Sequence, residues 1–301
     1  MKVVPSLFMV LALAGLCGCK RTLAPPLNAE PENVDILLTS LESDSGETAA
    51  TETVQKDPTG FADLTGVFKI AGAAPPRAPL PVSGSDVPLC IPSGKAPLDE
   101  AVVVGPSDGL ANVLIYLNTD IPDDPKWIHQ DTYAASRDAT LEFDQRNCMF
   151  LTHVFAIRTS QTMKIMNSDT VAHNTNISPR KGASPFNETI PVGGYVARKP
   201  GGESPDPFPV TCSIHPWMKA YMITRGNPYF AVTAEDGSFA IPKVPAGVKL
   251  EFRAWQEKAG FLQELTVNGQ AEKWSKGRKE ITLTPDTPLK LDVVVNASLL
   301  Q

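Results

Sequence analysis

Val210-Thr-Cys212-Ser-Ile-His215-Pro-Trp-Met218 places a thiol, an imidazole and a thioether within seven residues, where a β-like run passes into a loop. Soft sulfur ligands together with imidazole suit copper, and a trigonal Cys-His-His set with a weak axial Met is the geometry of electron-transfer copper. The stretch lacks one imidazole. His173 supplies it in Asn167-Ser-Asp-Thr-Val-Ala-His173-Asn174, about forty residues upstream at the end of an expected strand. Taken singly, Cys212 reads as a small buried hydrophobe and His215 as a structural or surface histidine. Tetrahedral zinc on one Cys and two His is the chemical alternative.

The flanking sequence is written for strands. Short apolar runs separated by Gly, Pro and Asp occur at Leu64–Ala71, Ala101–Val104, Val113–Leu117, His153–Arg158, Met163–Asn167, Phe208–Ile214 and Ala220–Thr224. This spacing predicts an antiparallel sandwich or barrel rather than βαβ units. The 28 prolines in 301 residues oppose a helical fold. Only Trp127–Ser136 looks helical. A second module is expected from about Asn227. There Tyr229–Ile241 predicts a hairpin turning at Glu235-Asp236-Gly237-Ser238, Pro245-Ala-Gly247 predicts another turn, and four further strands follow at Lys249–Trp255, Glu264–Val267, Glu280–Thr284 and Lys290–Val295.

At the pair His173-Asn174 and the loop Cys212-x-x-His215 with Met218, the chain resembles the cupredoxins, the family of plastocyanin and azurin. The resemblance implies Cys212 as the copper thiolate, His173 and His215 as equatorial imidazoles and Met218 as the axial ligand, with Met222 in reserve. It also implies that Asn174 ties the two ligand segments together. The His-x-x-Met spacing is shorter than plastocyanin's. It is similar to the loop of the binuclear copper domain of oxidases, but that loop carries two cysteines and this one has only Cys212. The pattern Asp236-Gly237-x-Phe239-x-Ile241 followed by Pro245-x-Gly247 resembles carboxypeptidase regulatory-like and fibronectin-type sandwiches, including the middle domain of rhamnogalacturonan lyases. Such modules are usually non-catalytic.

The N-terminus predicts export. Met1-Lys2 precedes an apolar run from Val3 to Leu16, too short for a comfortable membrane span. Leu16-Cys17-Gly18-Cys19 resembles a bacterial lipobox, with Cys19 as the acylated residue. Residues 20 to about 60, with Pro25-Pro26 and the acidic stretch Glu42–Glu52, have the composition of a tether. In an oxidising compartment two of Cys90, Cys148 and Cys212 should pair, and Cys90 with Cys148 is the expected bridge. His153 is open to two readings: a structural strand histidine, or a partner of Cys148 in a second metal site. Trp217 has two as well, an exposed rim for a redox partner or a packing residue beneath the loop.

The expected organisation is therefore a signal peptide (1–18), a lipid-anchored tether (19–62), a cupredoxin-like Greek-key sandwich (63–225) and a second small sandwich (226–301), all-β throughout. A net charge of −6 excludes a general nucleic-acid binder. With four histidines, two of them assigned to metal, no Ser-His-Asp set assembles and too few remain for a second oxidase-type copper site. The expected function is one-electron transfer by a single copper, without catalysis. The expected place is a membrane facing the periplasm or cell surface, the outer membrane in a bacterium, with an unidentified redox partner. Copper delivery at the cell surface and a metal-free adhesion or carbohydrate-binding sandwich are the alternatives.

Overall fold

The computed structural model describes residues 56–301, and the signal peptide, Cys19 and nearly all of the tether lie outside the described residues. Within them the chain is all-β. The strands, in order, are β1 (Gly60–Ala71), β2 (Leu114–Leu117), β3 (Thr140–Phe143), β4 (Gln145–Arg146), β5 (Met149–Phe150), β6 (Val154–Arg158), β7 (Thr162–Met166), β8 (His173–Ile177), β9 (Phe186–Ile190), β10 (Tyr195–Arg198), β11 (Phe208–Thr211) and β12 (Lys219–Arg225). They continue with β13 (Phe230–Val232), β14 (Ser238–Ala246), β15 (Lys249–Gln256), β16 (Gly260–Phe261), β17 (Glu264–Val267), β18 (Gln270–Lys273), β19 (Arg278–Thr282) and β20 (Leu289–Asn296). Helix is confined to single turns such as Val87–Cys90 and Gln130–Tyr133. No helix among the described residues is long and apolar enough to cross a membrane.

One sandwich is formed by a five-stranded sheet in the order β14-β1-β20-β17-β18 facing a sheet in the order β13-β2-β15-β16, with β19 also on β15. β1 shows why this sheet forms. Its burial alternates, with Ala62, Leu64, Phe68 and Ile70 inward, the two-residue period of a half-buried strand. It runs antiparallel to β14 and parallel to β20, from Leu64 opposite Leu289 to Ala71 opposite Asn296. Gly66 is required by close approach, because a Cβ there would lie 2.1 Å from the Leu291 carbonyl oxygen.

The second sandwich is formed by the sheet β6-β12-β11-β8-β9 and the three strands β10-β7-β3, around a core that includes Phe143, Ile157, Ile165, Val210 and Met222. The two sandwiches meet at a third apolar cluster of Leu114, Tyr116, Val154, Ile223 and Trp255. β2 explains its own unbroken hydrophobicity here. Ile115 and Leu117 enter the first core while Leu114 and Tyr116 enter the seam, so both faces are buried.

Several expectations are corrected by these pairings. The boundary at 225/226 separates strands that belong together, because β1 pairs with β14 and β20, and β2 pairs with β13 and β15. The ligand-bearing sandwich is thus set into the other one rather than placed before it. The tether does not extend to residue 62, since β1 begins at Gly60. The turn at 235–238 forms, but its two strands join different sheets, so no hairpin ladder results. Residues 101–104 contribute only an isolated bridge at Val104. Local periodicity names the strands here, but long-range pairing chooses their partners.

A chain truncated after Arg225 leaves β1 and β2 without any of their neighbours, exposing Leu64, Phe68 and Leu114 to Leu117. It is expected to lose cooperative thermal unfolding by circular dichroism and to be cleaved rapidly by protease. A sharp transition like that of the full chain would show that the ligand-bearing sandwich folds without the other.

Candidate metal centre

β8 runs antiparallel to β11, with Thr211 opposite Asn176 and Val210 opposite Ile177. The N-terminal end of β8 therefore lies beside the C-terminal end of β11. His173 opens β8 rather than ending a strand, and Cys212 follows directly on β11. The segment Cys212–Met218 then crosses to β12 as a closed loop. The Met218 N–H donates to the His215 carbonyl at 2.9 Å, and the Cys212 N–H donates to the Met218 carbonyl at 3.3 Å. Proline at 216 suits such a turn by fixing φ.

Topology thus gathers the three expected donors. One ligand atom each from His173, Cys212 and His215 lies within 4.8 Å of the others, and all three side chains are buried. The two Nδ1 atoms are 2.9 Å apart, and Cys212 Sγ is 4.0 Å from His215 Nδ1. A single ion held by one sulfur and two imidazoles would need N···S near about 3.8 Å and N···N near about 3.4 Å. The observed spacings require shifts of only a few tenths of an ångström.

The outer nitrogens explain why the inner ones face each other. His173 Nε2 lies 2.7 Å from an Asp169 carboxylate oxygen and His215 Nε2 lies 3.2 Å from Asp86. A carboxylate only accepts, so each Nε2 donates outward, and the two Nδ1 atoms are left facing each other at hydrogen-bond distance, where a shared proton or a cation satisfies both. Burial pushes His173 below the usual histidine range, with the charge of His215 adding to it against the pull of Asp169. Burial alone would raise the Asp169 carboxyl. N–H groups of Cys148, His173 and Thr170 donate to it and hold it below the usual range. The result is a pair of converging ring nitrogens beside a buried sulfur, a donor set that suits a soft or borderline cation.

Asn174 joins the two ligand segments. Its Oδ1 accepts the Ser213 N–H at 2.9 Å, and its own backbone N–H points at Cys212 Sγ at 3.4 Å. The His215 N–H reaches the same sulfur at 3.4 Å. Two amide donors thus converge on one sulfur. The Asn174 amide is fixed in turn, donating to Asn187 Oδ1 at 2.6 Å. Met218 is fully buried where the loop rejoins β12, and Met222 is buried within β12.

Cys90 and Cys148 form a disulfide with a Cα–Cα separation of 5.0 Å, and Cys212 is free. The bridge abuts the centre, with both sulfurs within 4.8 Å of a His215 nitrogen. It also anchors the Val87–Cys90 turn that brings Asp86 to His215. Trp217 lies beneath the loop. It is 8% exposed, its Nε1–H donates to the Cys148 carbonyl, and its ring centroid is 5.1 Å from that of His215. His153 does not join Cys148, whose sulfur is in the bridge; its Nε2 lies 2.6 Å from Glu257. Sequence reasoning does not find Asp86 and Asp169. Asp169 stands only four positions before His173, but in irregular loop, where that spacing has no fixed geometry. Asp86 arrives from a segment far away in sequence.

No family model matches the chain, and no curated protein does. Among solved structures, amicyanin from Paracoccus versutus (Thiobacillus versutus) aligns at 17% identity over 37% of this chain and 91% of its own, with a TM-score of 0.25. A Cu(I) form of an amicyanin mutant aligns at 11% identity over 29% and 82%, TM-score 0.26. The Cu-containing nitrite reductase from Thermus scotoductus SA-01 aligns at 20% identity over 28% of this chain and 22% of its own, TM-score 0.25. At these scores the residues of the centre carry its interpretation.

Asn174→Ala removes the acceptor of the Ser213 N–H and the clasp to Asn187. The metal-free variant is expected to lose about 1–3 kcal/mol in urea unfolding. An unchanged midpoint would show that the two ligand segments do not depend on this residue.

Proposed function

We propose that the chain binds one copper ion, which Cys212, His173 and His215 would hold with Met218 as a weaker fourth donor, and passes single electrons without transforming a substrate. The observation that carries this reading is the pair of Nδ1 atoms facing one another beside Cys212 Sγ, each with its Nε2 held by a carboxylate. Copper would supply the one-electron couple. The protein's part is to keep the donors where both oxidation states accept them. Asn174 holds the thiolate loop to β8, Asp169 and Asp86 fix both ring orientations, and Trp217 packs beneath His215. Rigid donors reorganise little when charge changes, which keeps the barrier to transfer low. Burial of all three donors also speaks against the delivery alternative, which needs an exchangeable ion at the surface.

The wider setting is part of the same proposal. Acylation at Cys19 would anchor the protein to a membrane, the acidic tether would let the sandwiches stand off it, and a redox protein in the periplasm or at the cell surface would be the partner.

Adding Cu(II) to the purified full chain is expected to give an intense thiolate-to-copper absorption that bleaches with ascorbate and is abolished in Cys212→Ser. Copper retained without that band, and equally by Cys212→Ser, would overturn the assignment.

A further inference from the structure

Outside the centre at Cys212, one buried ring nitrogen lacks a hydrogen-bond partner beside an open cavity. His153 enters β6 at the seam of the two sandwiches with a side chain only 7% exposed. Its Nε2 lies 2.6 Å from Glu257 Oε2, and Glu257's other oxygen accepts the Lys219 ammonium at 2.8 Å. Burial would raise the Glu257 carboxyl, but the donors His153 and Lys219 outweigh it and hold it low, so it is an ionised acceptor. The Nε2 proton is therefore committed to Glu257. The opposite nitrogen, Nδ1, is buried and has no hydrogen-bond partner.

What faces Nδ1 is a second carboxylate. Glu100 Oε2 lies 3.7 Å away, too far for a hydrogen bond, and Glu100 accepts none from the described residues. Burial, with the nearby carboxylates of Asp99 and Glu257, pushes the Glu100 carboxyl upward, and His153 and Arg77 only partly offset this. Both groups line a cavity of about 320 Å³ with Asp99, Glu257, Lys219 and Trp217. A divalent ion at about 2.1 Å from Nδ1 and from a carboxylate oxygen spans 3.7 Å at an angle of about 120°. The arrangement of Glu257, His153 Nε2–H and free Nδ1 is that of a carboxylate–histidine–metal unit, with the ring orientation set from behind.

We propose that His153 and Glu100 form a second metal site at the seam between the sandwiches, taking a borderline divalent cation such as Zn²⁺, with Glu257 as the residue that positions His153. Water in the cavity completes the coordination. Nitrogen with oxygen and no sulfur distinguishes this site from the sulfur-containing centre at Cys212. The ion ties the Glu100 segment to the start of β6, whose His153 is already held by Glu257 of the other sandwich. It lies in the cavity walled by Trp217, whose ring also packs on His215. The proposal does not depend on copper at the first centre.

The test uses the chelator-treated full chain carrying Cys212→Ser, which removes the thiolate of the first centre. Zn²⁺ is titrated against a chromophoric chelator, and the melting temperature is followed with and without the ion. Adding Glu100→Gln or His153→Gln is expected to weaken Zn²⁺ binding at least tenfold and abolish the Zn²⁺-dependent rise in melting temperature. Glu100→Gln, on a partly exposed side chain, keeps the fold even where His153→Gln does not. Equal Zn²⁺ affinity and equal thermal shift with and without Glu100→Gln would overturn the proposal, leaving His153 as a charged clamp between two glutamates.

Discussion

Two imidazole nitrogens 2.9 Å apart, with both rings turned toward each other by carboxylates on their far sides, are the constraint around which the ligand-bearing sandwich is arranged. With both Nε2 atoms donating outward, the two Nδ1 atoms meet at one point, where a proton or a cation sits between them. Cys212 Sγ, itself approached by the amides of Asn174 and His215, adds a third donor. Such convergence in a buried place is unfavourable unless positive charge resides there. The surrounding groups prevent relaxation. Asn174 spans the ligand segments, Asp169 accepts from both Cys148 and His173, and the disulfide fixes the turn that supplies Asp86.

The rest of the molecule supports that centre indirectly. β6 and β12 pack through Val154 and Ile223 against β2 and β15 of the neighbouring sandwich, through Leu114, Tyr116 and Trp255. Buried polar links cross the same seam. Arg225 donates to the Leu117 carbonyl at 3.1 Å, and His153 meets Glu257. The loop bearing Cys212, His215 and Met218 ends where β12 begins, so the seam helps hold one edge of that loop. Arrangement of the two sandwiches and geometry of the centre are linked by packing.

Much of this is legible in the sequence, for identifiable reasons. Cys212, His215 and Met218 lie in one short loop, and His173-Asn174 matches the order that the cupredoxin resemblance implies. The disulfide is readable because only three of the five cysteines lie outside the N-terminal segment, and the expectation of export calls for one bridge among them. The strands β2 and β15 announce themselves through apolar runs and alternation. Partnership is not legible. Nothing local in Leu64–Ala71 says that it lies between β14 and β20, more than 170 residues away. Asp86 and Asp169 act through hydrogen bonds set by tertiary structure, and carboxylates in loops carry no periodic signature. Sequence pattern puts His173 at the wrong end of its strand, because the strand's core, Thr175 to Ile177, follows it rather than precedes it.

Copper K-edge X-ray absorption on the copper-loaded full chain tests the central claim most directly, because it counts the donors around the ion without depending on colour. The account predicts one sulfur at short distance and two imidazole nitrogens, with no sulfur around the ion in Cys212→Ser. A copper shell made only of nitrogen and oxygen in the unaltered chain would contradict it.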